Sequence, residues 1–193
     1  MRPAFSGHPT AESVFVASLL FWFAIEVRQA LHRRPGATNT DRGSLMAVRL
    51  AAIAGALLAA VGLQVPGAAI PYSPVLMVAS LALVWAGVAL RWWSFRSLGQ
   101  YFTFQVMTSA DQPVITAGPY RYLRHPSYTG ILLILLGIGI SYGSWLSLAA
   151  ITLLPLAGFI NRIRAEEAAL AAALGERYTS FAAGRKRLVP FVW

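Results

Sequence analysis

TAGPYRYLRHPSYTG, residues 116–130, is the most polar and cationic stretch in the second half of the chain, and the apolar run ILLILLGIGI follows it at residues 131–140. Gly118 and Pro119 predict a turn, because glycine tolerates positive φ and proline fixes φ. Pro126 suits the first turn of a helix, where its missing N–H is not needed. The sequence therefore predicts a transmembrane helix that begins near residue 126. We call the polar segment just before it, residues 116–125, and the adjoining start of the helix the mouth of this helix.

The side chains at this mouth allow two interpretations. Tyr120, Tyr122 and Arg124 bring aromatic rings and charge to a membrane edge, and His125 and Tyr128 follow them closely. Most membrane proteins carry such residues as interfacial anchors, and spacing alone favours that interpretation. The alternative is a binding site, since the same groups can form hydrogen bonds with a ligand or stack on it.

Composition places the chain in the membrane class. Of its 193 residues, 57% are hydrophobic and 12% are charged, whereas soluble domains have about 25% charged residues. The absence of cysteine excludes disulfides, thiolate metal sites and a cysteine nucleophile. The three histidines, His8, His32 and His125, have no ligand-like spacing, so we expect no metal site. The net charge of +9 lies beside apolar runs, which favours contact with membrane lipids over nucleic acid.

Apolar runs predict an all-α integral membrane protein with five transmembrane helices in a single domain, residues 1–193. The predicted spans are about 11–31, 45–65, 74–95, 126–142 and 145–163, each near the roughly twenty residues that a bilayer requires. Pro155 predicts a kink in the fifth helix. We expect that helix to leave the membrane and continue as a polar helix to Phe181.

A connecting segment and a C-terminal tail complete the predicted architecture. The alternation in residues 101–107 predicts a strand that pairs with residues 114–116 across a turn at 109–111. Glu26 and Arg28, near the end of the first span, could pair with each other or reach the interface. The apolar residues that follow the basic turn near the C-terminus are expected to dock back onto the protein.

The distribution of positive charge predicts the orientation of the spans. All Lys and Arg residues except Arg2 lie in or beside the loop between spans one and two, the segment between spans three and four, or the C-terminal tail. With five spans, these regions share one side of the membrane, and the positive-inside rule makes that side cytoplasmic. We therefore expect the N-terminus outside, and the C-terminus and the polar site in the cytoplasm.

Two motifs in the second half resemble a known family. RHPSYTG at residues 124–130, preceded by GPY at 118–120, is similar to the core motif of the isoprenylcysteine carboxyl methyltransferases, whose wider family includes phospholipid methyltransferases. The resemblance continues in RIRAEE at 162–167 and GERY at 175–178. It covers roughly residues 101–193 and implies S-adenosylmethionine as the cofactor, bound by the connecting segment and the C-terminal helix.

The resemblance also implies which residues bind the cofactor. It assigns this role to His125, to the backbone near Tyr122 and Leu123, and to Glu166 or Glu167. A glutamate suits the ammonium group or the ribose of S-adenosylmethionine. Tyr128 joins this set, because its ring could stack on adenine or face the sulfonium cation.

The reacting centre is where the resemblance places Arg124 and Arg162. A planar guanidinium could orient an anionic acceptor there. By spacing alone, Arg162 and Glu166 indicate only an i,i+4 ion pair on a solvated helix, worth about 0.2–0.5 kcal/mol. The implied reaction is methyl transfer to a lipophilic or lipidated acceptor. A carboxylate of an isoprenylcysteine-like or other lipid-like molecule is favoured, because it is already ionised at pH 7 and needs no strong base.

Alternatives remain open at this stage. Gln112 stands where relatives that methylate isoprenylcysteine usually have a histidine, so an amine acceptor, as in phospholipid N-methyltransferases, is one alternative. Sterol reductases share an Arg-His-Pro-x-Tyr-x-Gly motif but bind NADPH, and the tail here, at 164–167 and 174–178, fits the methyltransferases better. A helical scaffold without catalytic activity is the third alternative. The sequence indicates no oligomeric state.

Overall fold

A computed structural model describes residues 7–31, 38–39, 43–71, 73–102, 107–108, 112–190 and 192–193. Its α-helices are α1 (Pro9–Ala30), α2 (Ser44–Gly62), α3 (Pro74–Leu98), α4 (Pro126–Ser141), α5 (Trp145–Leu174) and α6 (Glu176–Ala183). Connections include 3₁₀ turns at Pro66–Ala68, Gly99–Tyr101 and Gly118–Arg121, and a pair of two-residue strands, β1 (Thr38–Asn39) and β2 (Met107–Thr108). Three of the helices begin at a proline, whose missing N–H needs no partner at that position.

Four helical segments are long and apolar enough to cross a membrane: α1, α2, α5, and α3 with the 3₁₀ turn that follows it. α4 is also apolar but has only 16 residues. Large apolar side chains on these helices are exposed, as lipid-facing surfaces require, among them Leu20, Phe23, Leu57 and Val78. Four of the five predicted spans are therefore confirmed as candidates by length and composition.

Glycines allow the helices to approach closely. α3 packs mainly against α4, α2 packs against α5, and α4 also contacts α5. A Cβ on Gly137 would lie 2.6 Å from the carbonyl oxygen of Ser80, and one on Gly55 would lie 2.9 Å from that of Ala150. A side chain at either position would force the helices apart, so these small residues fix the two pairings.

The two ends of the helical bundle differ in what they contain. The far end consists of the short turns at residues 63–73 and 142–144, which join α2 to α3 and α4 to α5. The site end consists of the described residues between α3 and α4, 99–102, 107–108 and 112–125, the polar part of α5 with the tail, residues 161–190 and 192–193, and the adjoining ends of α1, α2 and α3. The basic residues in the described part of the chain lie at this end.

The predicted hairpin between residues 101–107 and 114–116 is wrong. β2 pairs in antiparallel register with β1 instead, and the second predicted segment forms no strand. Val114 packs against the apolar residues of α6 and the end of α5, so this segment contributes to helix packing and not to a sheet. The predicted turn at 109–111 lies outside the described residues, as do residues 103–106.

α5 does not continue to Phe181 as predicted. It ends at Leu174, and Gly175 adopts φ of 55°, which residues with a side chain rarely do. α6 follows as a separate helix. α5 runs without interruption through Pro155, which is buried against Gly55, so the kink stays a prediction.

Glu26 pairs with Arg91 on α3 and not with Arg28. Nε1 of Trp22, one turn earlier on α1, donates to the same carboxylate at 2.8 Å. A charge close to an apolar run needs a partner on a neighbouring helix, because lipid offers none. Arg28 is exposed at the end of α1, as an interfacial residue would be.

Candidate active site

The 3₁₀ turn Gly118–Arg121 leads the chain into α4. Gly118 has φ of 59°, and a Cβ there would lie 3.0 Å from Nε1 of Trp93, so the turn requires glycine. Tyr120 is buried beneath the turn. Burial, followed by the charge of Glu166, raises the pKa of the Tyr120 hydroxyl, which therefore stays protonated.

The C-terminal tail docks along this entry, as predicted from its apolar residues. The backbone N–H of Arg124 donates to the carbonyl of Lys186 at 2.8 Å, and that of His125 donates to the carbonyl of Arg187 at 3.0 Å. Leu188, only 2% exposed, accepts a hydrogen bond from the Thr129 hydroxyl at 2.7 Å. The tail thus satisfies the backbone donors that precede α4 and holds the entry to α4 in place.

Glu167, on α5, is fully engaged by groups on two other segments, the entry to α4 and the tail. Its Oε1 lies 2.9 Å from Nη1 of Arg124 and 3.2 Å from Nε2 of His125. Its Oε2 accepts from Nη2 of Arg187 at 2.8 Å and from Nε at 3.0 Å. Because both oxygens are used, Glu167 ties the tail, the entry to α4 and α5 together.

Glu166 belongs to a second network, in which Tyr128 lies between two charged groups. Nε of Arg162 donates to the Tyr128 hydroxyl at 2.9 Å, and that hydroxyl donates to Oε2 of Glu166 at 2.7 Å. Nη1 of Arg162 also donates to the Ser44 hydroxyl at 3.0 Å, which brings in α2. The Tyr128 ring stacks on His125 with centroids 5.5 Å apart. Each polar group here is held from at least two directions.

A cavity opens between these networks, α6 and the end of α3, with about 870 Å³ of empty space that is partly open to solvent. Its polar wall includes Gln112, Arg124, His125, Tyr128, Glu166 and Tyr178. Its apolar wall includes Leu98, Phe102, Leu170, Leu174 and Phe181. A mainly apolar concavity with a few converging polar groups is the usual form of a small-molecule site.

Two buried donors at the cavity have no partner in the protein. Within the described part of the chain, Nε of Arg124 and the hydroxyl of Tyr178 are buried and form no hydrogen bond. Burial, and then the charges of Glu167 and Glu166, raise the pKa of the Tyr178 hydroxyl, so it remains a donor at neutral pH. Unpaired buried donors are costly, and a bound ligand would satisfy them.

The structure separates the predicted site residues into three groups. Four of them line the cavity: Arg124, His125, Tyr128 and Glu166. Arg162 and Glu167 lie behind it, and Arg162 is only 3% exposed. The side chain of Tyr122 is 61% exposed and that of Leu123 is buried away from the cavity. Their backbone N–H groups both donate to the carbonyl of Pro119, at 3.1 and 3.2 Å, and a contact between this backbone and the cofactor stays a prediction.

Sequence reasoning assigned no role to several residues that shape the site. Arg187 binds Glu167, Ser44 binds Arg162, and Tyr178, which lines the cavity, carries a buried hydroxyl without a partner. GERY at 175–178 pointed to Tyr178 only through the resemblance. The partners of Glu167 and Arg162 are distant in sequence, so no local spacing could have revealed them.

Comparison with known proteins places this region in context. Residues 80–172 match the model of the isoprenylcysteine carboxyl methyltransferase (ICMT) family. The uncharacterized protein YpbQ of Bacillus subtilis (strain 168) is 28% identical over 94 residues, which cover 45% of this chain and 56% of that protein. The protein-S-isoprenylcysteine O-methyltransferase of Schizosaccharomyces pombe is 31% identical over 109 residues, which cover 55% of this chain and 46% of that enzyme.

A solved structure is similar over a longer stretch. The eukaryotic intramembrane Ras methyltransferase ICMT, isoprenylcysteine carboxyl methyltransferase, aligns with a TM-score of 0.58 and 26% identity over 75% of this chain and 52% of that one. This chain spans about half the length of these relatives. The family model, the curated relatives and the solved structure agree with the resemblance read from the two motifs, and they support a similarity between residues 80–172 of this chain and the isoprenylcysteine carboxyl methyltransferase family.

Proposed function

We propose that this chain is a membrane-embedded methyltransferase that moves a methyl group from S-adenosylmethionine to a lipophilic acceptor. The observation that carries the proposal is the cavity at the mouth of α4. A glutamate and two residues with unpaired buried donors line it, and most of its polar groups lie in the segment that matches the family. The first half of the chain supplies helices that support this cavity.

The residues at the cavity fit S-adenosylmethionine. This cofactor supplies an electrophilic methyl group on a sulfonium, and it also carries an ammonium, a carboxylate, ribose hydroxyls and adenine. Glu166 lines the cavity with a side chain that is 29% exposed, so it can bind a cation or hydroxyls there. Tyr178 can donate to a hydroxyl or ring nitrogen, and the apolar wall of Leu170, Leu174 and Phe181 can accept adenine. Glu167 is committed to protein contacts, so we assign the cofactor contact to Glu166.

Arg124 is the residue that we assign to the acceptor. Its Nη1 is held by Glu167, while its buried Nε has no protein partner. A fixed guanidinium with an unpaired donor can hold a carboxylate in line for attack on the methyl carbon. Arg162 does not line the cavity, so we propose that it positions Tyr128, whose hydroxyl it binds.

The proposal of a lipophilic acceptor rests on how deep the start of α4 lies in the membrane. The 16 residues of α4 span about 24 Å at 1.5 Å per residue, which is less than the ~30 Å thickness of the hydrocarbon core. If α4 also crosses the membrane, as the fourth of the five predicted spans, its first turn lies below the headgroups, at the level of the acyl chains. We propose that the carboxylate of an isoprenylcysteine-like or other lipid-like molecule is methylated there, at the cytoplasmic face.

The orientation is tested by accessibility. Tags at the N-terminus and in residues 67–71 are expected to be reached from outside the cell. Tags in residues 32–44 and at the C-terminus are expected to be protected. A cytoplasmic N-terminus would contradict the five-span topology.

The activity is tested by supplying the purified protein with S-adenosylmethionine labelled in the methyl group and a panel of lipophilic acids, thiols and amines. We expect label in base-labile methyl esters of the acids. Label in amines alone would assign the protein to the phospholipid-type methyltransferases and make His125 or Glu166 the candidate base. If no acceptor is methylated and the protein binds NADPH instead of S-adenosylmethionine, a reductase would be favoured.

A further inference from the structure

A buried charged pair joins α1 to α3 beside the candidate active site. Arg91 is only 2% exposed; its Nη2 donates to Oε2 of Glu26 at 2.6 Å, and its Nε pairs with the other oxygen of that carboxylate. Nε1 of Trp22 donates to the same carboxylate and restricts its orientation. A buried guanidinium is tolerated only when a carboxylate compensates its charge, so Glu26 is needed wherever Arg91 is retained.

The same guanidinium contacts the wall of the cavity. Its Nη1 donates to the hydroxyl of Ser127 at 2.6 Å and to the carbonyl of Ser127 at 3.2 Å. Its Cζ lies 6.0 Å from the centre of the Phe102 ring. Ser127 and Phe102 both line the cavity, whereas Arg91 does not. Arg91 therefore connects α1 to two cavity residues without facing the ligand.

Ser127 lies in the first turn of α4, between His125 and Tyr128, which both line the cavity. On the side of the tail, this turn is held by the bond from Thr129 to Leu188. On the side of α3, Arg91 holds it, and a Cβ added to Gly130 would lie 3.1 Å from Cβ of Arg91. The first turn of α4 is thus contacted from two sides, by the tail and by Arg91. The contact with Arg91 depends on Glu26 of α1, which compensates the charge of Arg91.

We propose that Glu26 and Arg91 are positioning residues that fix the first turn of α4, and with it His125 and Tyr128, in the geometry that the ligand requires. α1 thereby contributes to the site, although residue 26 lies outside residues 80–172 that match the family model. For its effect on ligand binding, this inference rests on the proposed function. The positioning itself does not, and it can be measured separately.

The first measurement is calorimetric binding of S-adenosylhomocysteine to the full chain in detergent. Glu26→Gln keeps the shape of the side chain but removes its charge, and we expect it to weaken binding about tenfold, as the loss of about 1.4 kcal/mol would. Glu12→Gln makes the same change at an exposed position near the other end of α1 and is expected to have no effect. The pair therefore separates the role of the carboxylate from any general effect of charge.

The second variant avoids the risk that Glu26→Gln fails to fold. Ser127→Ala removes only one hydrogen bond of Arg91 and is expected to weaken binding severalfold. Ser141→Ala removes a buried hydroxyl near the other end of α4 and is the matched control. Glu26→Gln combined with Ser127→Ala should be no weaker than Glu26→Gln alone, because one guanidinium mediates both effects.

Hydrogen exchange tests the positioning without any ligand. The N–H groups of Tyr128 and Thr129 donate to the carbonyl of His125 in the first turn of α4. In Glu26→Gln and Ser127→Ala, exchange should increase at residues 127–130 and remain unchanged at residues 145–158 of α5. Faster exchange throughout the chain would mean general destabilisation and would overturn the inference. The inference would also be overturned if both variants exchanged and bound S-adenosylhomocysteine as the parent protein does. A further outcome separates the inference from the proposed function. If the parent protein does not bind S-adenosylhomocysteine, but the variants still exchange faster only at residues 127–130, the positioning is supported and the proposed function is contradicted.

Discussion

The far end and the site end of the helical bundle are held together by different kinds of contact. At the far end, neutral hydroxyls bond to carbonyls: the Ser144 hydroxyl to that of Gly62 at 3.0 Å, and the Ser147 hydroxyl to that of Ala59 at 2.7 Å. At the site end, Glu167 alone meets two arginines and a histidine. The same helices, α2, α4 and α5, contribute to both ends, so the difference does not come from which helices are joined.

The contrast separates packing from function. Neutral hydrogen bonds and close glycine contacts are sufficient to hold the far end, and they cost little to bury. Charges are costly to bury even when paired, and well-packed apolar residues often replace them without loss of stability. The charged networks at the site end are therefore best explained by a ligand that needs them. Variants at the two ends should accordingly differ in whether they change binding and catalysis or only stability.

The largest effect is expected at Arg124. Arg124→Lys keeps the charge but loses the planar fork, so the acceptor would no longer be held in line. Turnover should fall about 100-fold, as it does for a misplacement of about 1 Å, while affinity for S-adenosylhomocysteine changes little. Labelled methyl transfer and calorimetry measure the two quantities. Arg121→Lys, at an exposed neighbour, is the control, and full activity of Arg124→Lys would reduce Arg124 to an interfacial anchor.

Arg162 is tested in the same way through Tyr128. Arg162→Lys cannot keep the hydrogen bonds from Nε to Tyr128 and from Nη1 to Ser44 together. Turnover should fall, and the loss should largely disappear in a Tyr128→Phe background, because Arg162 acts through that hydroxyl. Losses that add fully in the double variant would contradict the positioning role.

The next largest effect distinguishes the two adjacent glutamates. Glu166→Ala should weaken binding of S-adenosylhomocysteine by about 1.5–3 kcal/mol, the value of a charge-assisted hydrogen bond. Glu167→Ala should mainly lower the melting temperature, because it releases Arg124 and Arg187 from their shared partner. Glu176→Ala, exposed at the start of α6, is the control. If Glu166→Ala bound as tightly as the parent, the role of Glu166 would be limited to its hydrogen bond with Tyr128.

A smaller effect is expected at Tyr178, and it has an unusual signature. Its hydroxyl is buried without a partner, so Tyr178→Phe removes a desolvation cost and should not lower the melting temperature. Affinity for S-adenosylhomocysteine should nevertheless fall by about 0.5–1.5 kcal/mol, since a donor to the ligand is lost. Tyr142→Phe, near the far end, is the control. A variant that loses stability but keeps its affinity would assign Tyr178 to the protein core.

The smallest effect on the site is expected from the far end. Ser147→Ala removes the bond to the carbonyl of Ala59 and should lower the free energy of unfolding by about 1 kcal/mol. Binding and methyl transfer should remain at the parental level. A loss of affinity comparable to that of Glu166→Ala would show that the two ends are coupled and would remove the contrast between them.

The sequence predicted what local chemistry determines. Pro126 marked the start of α4, and the apolar runs located the helices, because hydropathy and proline act within a few residues. The contact between Glu26 and Arg91 could not be predicted, since the two residues are far apart in the chain and Arg28 offered a nearer partner. The partner of the strand at Met107–Thr108 was mispredicted, because alternation does not identify a partner and β1 (Thr38–Asn39) is distant in the chain.

The site was predicted as a set of residue types but not as an arrangement. Glu166 and Glu167 are adjacent in sequence, and consecutive positions on a helix point about 100° apart, so only the structure shows which one faces the cavity. Tyr122 was included for its backbone, through the resemblance, and the turn before α4 directs its side chain to solvent. Arg187 could not be found without knowing that the tail returns to α4.

The central claim is that the cavity at the mouth of α4 binds S-adenosylmethionine. The most direct test is calorimetric titration of the detergent-solubilised full chain with S-adenosylhomocysteine and, separately, with NADPH. We expect saturable binding of one S-adenosylhomocysteine per chain that is weakened in Glu166→Ala, and no binding of NADPH. Binding of NADPH without S-adenosylhomocysteine, or S-adenosylhomocysteine binding that Glu166→Ala leaves unchanged, would contradict the claim.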